Sequence, residues 1–468
     1  MGLSRHTRCL LVCHRDGRLT WSRNLSSRIY SECKYLHKVY TTHEVAIDLN
    51  RSNISRFESN HLPSNSPTED RRFLGTIPSH SRTTSGGGGI IQKEGRVCFG
   101  VVDGHAGHKC AQAVSGRLLD YLSASTLAQC SNEANGDWES HRTRWDLPGD
   151  YQESSLIRDR HRQSLRSWVT SSSENKPSSA TSDDGGLDER IFSSAFEALD
   201  HHLIEDAMGV ISSSMNRYDV DVIESALSGA CVLTVAVDDE EVVCANSGDC
   251  KAVLGQLSED GHSWHAIPLT NEHNAENSTE IQRIFDAHPE SEHPTIIQGG
   301  RLFGSLLPLR AFGDMLFKLD GSKLNKLKQV FDVRNFLAKS ITPPYLSASP
   351  EITRRQIDPK RDKFLIVGTD GLWDFVTSQV AVEVIGQHLD SANDPKPQFG
   401  STVEEQHHQT VHRLSANGAT RLMCHAVGQC MNSKTLPLFG QLNDMIKIAP
   451  EETRNNRDDI EVIVVYFR

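Results

Sequence analysis

The sequence predicts an α+β fold in which antiparallel sheets carry helices on their outer faces. Three observations predict it. Apolar, β-branched runs such as "VCFGVV", "ACVLTVAV" and "IEVIVVYF" recur along the chain and read as buried strands. Strand hairpins outnumber strand–helix–strand units, which favours antiparallel pairing. The helical segments are amphipathic and so need a sheet to cover.

The texture becomes globular at about residue 63, and the elements follow in order. "GRVCFGVVDG" is a buried strand and "GHKCAQAVSGRLLDYL" the helix after it. Residues 130–188 break the pattern. There "SSLIRDRHRQSLRSWVTSSSENKPSSATSDDGG" is polar, Ser-rich and aperiodic, and a largely flexible insertion is expected. "LDERIFSSAFEALDHHLIEDA" restores an amphipathic helix. "GACVLTVAV", "EEVVCANS" and "KAVLGQL" are expected as a three-stranded meander joined by "DDE" and "GDC" turns. "ENSTEIQRIFDAHP" is a helix closed by Pro289. "KFLIVGTDG" is a strand, with "LWDFVTSQVAVEVIGQHL" the helix behind it. "ATRLMCHAVG" and "FGQLNDMIKIA" are short helices, and "IEVIVVYF" is the last strand. "SGGGG" at 85–89 lacks the Lys-Ser or Lys-Thr of a phosphate loop and is expected as a hairpin tip between "EDRRF" and "RVCFG".

The 468 residues carry a formal charge of −12, which argues against nucleic acid as the main partner. A phosphorylated substrate stays compatible, because bound cations reverse the local charge. The 11 cysteines form no CxxC pair, and Cys9/Cys13, Cys244/Cys250 and Cys424/Cys430 are wrongly spaced for common zinc modules. Free thiols in a reducing compartment are the simple reading. No apolar run approaches the roughly 20 residues that cross a bilayer, so no transmembrane segment is expected. Residues 1–40 hold Arg5, Arg8, Arg15, Arg18, Arg23, Arg28, Lys34 and Lys38, opposed by Asp16 and Glu32, with serines interspersed. That is the composition of a mitochondrial transit peptide. The expected division is a mitochondrial transit or disordered basic segment over 1–40 and one catalytic domain over 41–468, interrupted by the low-complexity insertion at about 130–188.

One feature recurs at the strand ends. "VCFGVV" ends in Asp103-Gly104, "VVCANS" in Gly248-Asp249, "FLIVGT" in Asp370-Gly371, and Asp458-Asp459 precedes the last strand. Glu69-Asp70 starts an earlier strand-like segment. A single Asp-Gly is a common turn dipeptide; the recurrence is the signal. Carboxylates gathered at one rim repel and raise one another's pKa values, a cost that divalent cations remove. An oxygen-rich, sulfur-free donor set suits Mg²⁺ or Mn²⁺. Two such ions about 4 Å apart can share one carboxylate and turn the water between them into a hydroxide that attacks phosphorus in line.

"FGVVDGHAG", "SGACVLTVAV", "VVCANSGDCKAVLG", "LRAFGD", "IVGTDGLWD" and "RDDIEVIVV" occur in the order seen in the metal-dependent type 2C protein serine/threonine phosphatases, and the chain resembles that family from residue 63 to 468 apart from the insertion. The resemblance implies a four-layer αββα fold, a central β-sandwich of two antiparallel sheets flanked by helices. It implies that Asp103 bridges two metal ions, that the Gly104 carbonyl and the Asp370 and Asp458 carboxylates are direct ligands, and that Glu69, with Asp70 beside it, reaches a metal through water. Asp249 matches the aspartate of a weaker third site. His105 matches the general acid that protonates the leaving seryl oxygen. His108 is expected only to satisfy the backbone, and Asp314 is either a turn residue or a support for the site.

Many members grip the substrate phosphate with an arginine where this chain has Asn65. Asparagine lacks the charged bidentate fork, so phosphate capture leans on the metals. Alternation along a strand sends Arg71 and Arg72 to opposite faces, and neither is assigned that role. "FESNHLPSNSPTEDRR", "LTNEHNAEN", "RLFGSLLPLRAFGD" and "TPPYLSASPEI" resemble the pyruvate dehydrogenase phosphatase branch, which also has asparagine there. That branch implies the mitochondrial matrix, the phosphorylated dehydrogenase component as substrate, and docking on a lipoyl domain of dihydrolipoyl transacetylase with calcium at the contact. It also implies a separate regulatory subunit. The alternatives are a type 2C phosphatase for another phosphoprotein and a non-catalytic scaffold on the same fold. The scaffold should have lost the metal carboxylates, yet Asp103, Asp370 and Asp458 are all present.

Overall fold

The computed structural model describes residues 11–13, 19–21, 38–49, 51, 53–78, 82–84, 90–92, 95–130, 138–139, 142–147, 154–174, 184–213, 217–328, 341–393, 416–430, 445, 448, 450–454 and 456–468. The strands of the two sheets begin with β1 (Val45–Asp48), β2 (Ile54–Leu62), β3 (Arg71–Ile77) and β4 (Arg96–His105). A helix α1 (Lys109–Cys130), a short β5 (Thr143–Arg144) and helices α2 (Ser155–Glu174), α3 (Asp184–Ile211) and α4 (Arg217–Leu227) follow. Next come β6 (Gly229–Val237), β7 (Glu241–Ser247), β8 (Lys251–Leu257), β9 (Trp264–Pro268), α5 (Ser278–Asp286) and β10 (Phe312–Gly313). The chain closes with β11 (Glu351–Gln356), β12 (Asp362–Gly368), α6 (Ser378–Asn393), α7 (Gly418–Cys430) and β13 (Ile460–Phe467).

One sheet has the order β9-β8-β12-β13-β2-β1, the other β11-β7-β6-β4-β3-β5 with β10 beside β6. All neighbouring strands in both are antiparallel. Alternation along β4 explains the layering. Val97, Phe99 and Val101 point between the sheets and pack with Phe57, Leu233, Leu254, Leu365 and Ile463. Cys98 and Val102 point outward onto Leu118, Phe192 and Phe196 of α1 and α3. On the far side Ile366, Val462 and Val464 pack with Val382 and Ile385 of α6 and Leu422 of α7. The result is the α-β-β-α layering that the resemblance implies. Asp103 continues the inward-facing series of β4, so its carboxylate emerges between the sheets at their open end.

Three expectations differ from what is observed. The 130–188 stretch contains the helix α2 and is not simply a flexible insertion. Its inner stripe is His161, Leu165 and Val169, at four-residue spacing and all buried. The stripe is hard to read because its first member is polar, its Nε2 held by Asp120 at 3.1 Å. The three-stranded meander is a hairpin only in its first half. β7 pairs with β6, but β8 leaves for the other sheet and pairs with β12 and β9. The crossing occurs at Gly248, whose φ of +127° is open to glycine, and where a Cβ would lie 2.3 Å from that of Cys231. Finally, order begins before residue 63. β2 was hidden by its buried polar residues Glu58, Ser59 and Asn60. The partners of Glu58 and Asn60 come from elsewhere: Tyr466 Oη and the Gly418 N–H donate to Glu58 at 2.8 and 2.6 Å, and Asn60 Nδ2 donates to the Tyr40 carbonyl at 2.7 Å.

The helix expected to close before Pro289 ends at Asp286, and Asn277 caps its start. Residues 11–13 and 19–21 pair as a short hairpin, while the rest of the expected transit segment up to residue 37 lies outside the described residues. So do the "SGGGG" tip and, apart from Met445 and Ile448, "FGQLNDMIKIA". No helix among the described residues is long and apolar enough to cross a membrane.

Candidate active site

Asp103 ends β4, Asp249 follows the Gly248 crossing, and Asp370 follows β12. One carboxylate oxygen from each lies within 4.8 Å of the other two. The Asp370 N–H donates weakly to Asp103 Oδ2 at 3.4 Å. Asp370 Oδ1 is buried and has no hydrogen-bond partner.

The electrostatics follow from that crowding. Burial, then the charges of Asp370, Asp70 and Asp249, push the Asp103 carboxyl well above its ordinary range. Burial, then Asp249, pushes Asp370 up to about 6. Asp70 is raised well above the usual range by burial and then Asp459, and Asp249 is raised by burial. Burial and mutual repulsion both disfavour the charged form of these carboxyls. A hard divalent cation is the counter-charge that oxygen-only donors select. The orphaned Asp370 oxygen fits the same group.

The Glu69-Asp70 pair divides its work. Asp70 turns toward Asp103 and accepts from Thr369 Oγ1 at 2.8 Å. Glu69 turns the other way: Oε1 accepts from the Gly107 N–H at 2.6 Å and Oε2 from Asn65 Nδ2 at 3.1 Å. Gly104 lies directly under this loop, where a Cβ would come within 2.5 Å of the Glu69 carbonyl oxygen. Asp458 stands outside the three-aspartate group; its carboxylate pairs with Arg454 and accepts the Asp459 N–H at 2.7 Å. Asp249, expected to serve a weaker third site, has a carboxylate oxygen close to those of Asp103 and Asp370.

Asp459 is the residue that sequence reasoning missed here. Its carboxylate collects the N–H groups of Ser64, Asn65 and Glu69 and the Thr68 hydroxyl. Burial opposes its charge, but these donors outweigh burial and bring it to about 2. The only sequence signal was the doubled acid in "RDD". Asp374 was missed as well. Burial and then Asp370 raise its carboxyl to about 6, and its spacing four residues after Asp370 on a helical turn was the available clue.

His105 Nε2 sits 2.6 Å from Asp314 Oδ2. Burial would lower the imidazole pKa, but the charge and hydrogen bond of Asp314 prevail and raise it. That favours the protonated, donating form. Asp314 is therefore a support for the site, held in the left-handed region at φ 48°. His108 stands at the start of α1, its carbonyl accepting from Gln112 at 3.0 Å. Arg71 Nη1 donates to the carbonyls of Thr68 and Asp70, while Arg72 Nη1 donates to Glu461. They occupy opposite faces of β3, as alternation predicts.

The family model for protein phosphatase 2C matches residues 150–403 of the chain, the span that carries Asp249, Asp314 and Asp370. The chain belongs to that family and is a metal-dependent protein serine/threonine phosphatase. It is 34% identical over 457 residues to human mitochondrial pyruvate dehydrogenase (acetyl-transferring) phosphatase 1, covering 89% of this chain and 78% of the relative. Human mitochondrial pyruvate dehydrogenase (acetyl-transferring) phosphatase 2 is 33% identical over 460 residues, covering 91% and 81%. A solved serine-threonine phosphatase 2C from Toxoplasma gondii is 16% identical, with a TM-score of 0.45 over 91% of this chain and 99% of the other.

Proposed function

We propose that the chain releases phosphate from serine or threonine in the dehydrogenase component of the pyruvate dehydrogenase complex, and so activates it, in the mitochondrial matrix. The observation that carries the chemistry is the three-aspartate group, Asp103 and Asp249 buried and Asp370 partly so, with its unsatisfied oxygen. The substrate class is supported by the relatives named for it, matched over about nine-tenths of this chain. Asn65 in place of a phosphate-gripping arginine and the basic stretch at 1–40 support the same branch and compartment.

In this reading Asp103, the Gly104 carbonyl, Asp370 and Asp458 would hold two ions, Mg²⁺ or Mn²⁺. Asp458 would be free for a cation once its ion pair with Arg454 opens. Glu69 and Asp70 would reach a cation through water, and Asp249 would serve a third ion. Bound there, the cations would offset the carboxylate charge and lower the pKa of water. Asn65 offers the phosphate a neutral hydrogen bond. His105, aligned by Asp314, gives its proton to the leaving oxygen, a step worth on the order of 10²–10⁴ in rate. Docking on a lipoyl domain of dihydrolipoyl transacetylase and pairing with a regulatory subunit belong to the same proposal. The division into a transit segment at 1–40 and a catalytic domain at 41–468 does too.

The test is phosphate release from phosphorylated pyruvate dehydrogenase by the full-length chain, with Mn²⁺, with chelator, and as Asp103→Asn. Metal-dependent release that falls at least about a hundredfold in the variant is expected. Release from a generic phosphopeptide but not from pyruvate dehydrogenase would refute the substrate. No release from either, with folded protein and Mn²⁺ supplied, would refute catalysis and leave the scaffold.

A further inference from the structure

We infer that His273 is a positioning residue that fixes the Asp249 turn in its metal-holding conformation; this rests on the reading of Asp249 as a metal ligand. The imidazole is 0% exposed. Its Nδ1 accepts from the Gly248 N–H at 3.1 Å. Its own backbone N–H donates to the Gly248 carbonyl at 2.9 Å. That carbonyl belongs to the peptide bond that carries Asp249. One residue thus holds the peptide groups on both sides of Gly248, at the point where the chain leaves one sheet for the other.

The ring is itself locked. With Nδ1 accepting, the single proton of the neutral ring is on Nε2. Nε2 donates to Glu351 Oε2 at 3.0 Å, and Glu351 Oε1 accepts from Asn271 Nδ2 at 2.9 Å. Burial pushes the imidazole pKa down and so keeps it in this neutral form. The His273 carbonyl also accepts the Leu309 N–H at 2.7 Å. Leu309 begins the short segment that ends at Asp314, the partner of His105. His273 therefore ties the metal-side turn and the proton-side turn to one buried point. Such outer partners of metal ligands typically govern affinity by about 10–100-fold.

Two substitutions separate the two ring nitrogens. His273→Asn places an amide oxygen near the Nδ1 position and keeps the acceptor for Gly248. His273→Gln places its amide near Nε2, keeping the reach to Glu351 and leaving the Gly248 N–H without its acceptor. Mn²⁺ binding is read by electron paramagnetic resonance, alongside the Mn²⁺ needed for half-maximal phosphate release and the melting temperature in chelator. We expect His273→Gln to weaken Mn²⁺ binding about tenfold and His273→Asn less than about threefold. The half-exposed Glu351→Ala, which unlocks the ring without removing it, should shift binding in the same direction, and it serves as the test if His273→Gln does not fold. Unchanged Mn²⁺ binding in folded His273→Gln, or equal losses in both histidine variants, would overturn the inference alone. A wild type that binds no Mn²⁺, or binds it equally well as Asp249→Asn, would overturn the ligand reading beneath it.

Discussion

His105 has its chemistry set by one neighbour more than any other side chain at the site. Asp314 supplies a charge and a 2.6 Å contact that overcome the cost of burying an imidazolium. A proton donor matters only when the leaving group needs a proton. His105→Asn should therefore lower kcat on a phosphoserine peptide by about 10²–10⁴. On 4-nitrophenyl phosphate, whose leaving phenolate is stable unprotonated, the loss should stay under about tenfold. Steady-state assays on both substrates decide it: equal losses would mean that His105 holds the site together and does not donate. Asp314 was half legible, because the turn residues of "AFGD" were plain in the sequence. The pairing was not, since 209 residues separate it from His105.

Among the elements, α2 is the clearest gain from the structure. Leu165 and Val169 seat it in the same core as α1 and α3, and His161 fills the place where an apolar residue would have betrayed the helix. Leu165→Ala should destabilise the protein by about 2–5 kcal/mol, as measured by denaturant unfolding. A change near zero would mean that α2 does not pack and that the stretch is the flexible insertion its composition suggests. The β8 crossing teaches a related point. "KAVLGQL" is an unmistakable strand, yet which sheet takes it depends on Gly248 and on the empty edge beside β12. Strand propensity speaks to conformation and is silent on pairing partner.

For the molecule as a whole, the open end of the sandwich gathers acids from both sheets, and the protein's own charge does not neutralise them. Bound metal should act as a structural element. At a Mn²⁺ concentration of about 100 times Kd the native state gains about 2.7 kcal/mol over the chelated state, read as a rise of several degrees in calorimetric melting. Asp103→Asn should lose that rise. In chelator it should melt at or above the wild type, because one member of a repelling group has been neutralised. Melting that ignores Mn²⁺ in the wild type would mean that the group is not a metal centre.

The sequence by itself determined the most apolar strands, β4, β6, β7, β8, β12 and β13, most helices, the antiparallel class and the acids at strand ends. Each is a local property of periodicity or turn chemistry, and the motif order carried the family. It also carried the loss of the arginine fork at Asn65. Tertiary structure decided what depends on contacts distant in the chain. It split Glu69 from Asp70, drew Asp249 in beside Asp103 and Asp370, and left Asp458 with Arg454. It put Asp459 under the loop at 64–70 and buried Glu58 and Asn60 in β2, where partners remote in the chain make polar residues cheap. A carboxylate's type is written in the sequence. Its direction is set by which neighbours fold against it, and at this site the direction separates the acids grouped for a cation from those that hold the loop.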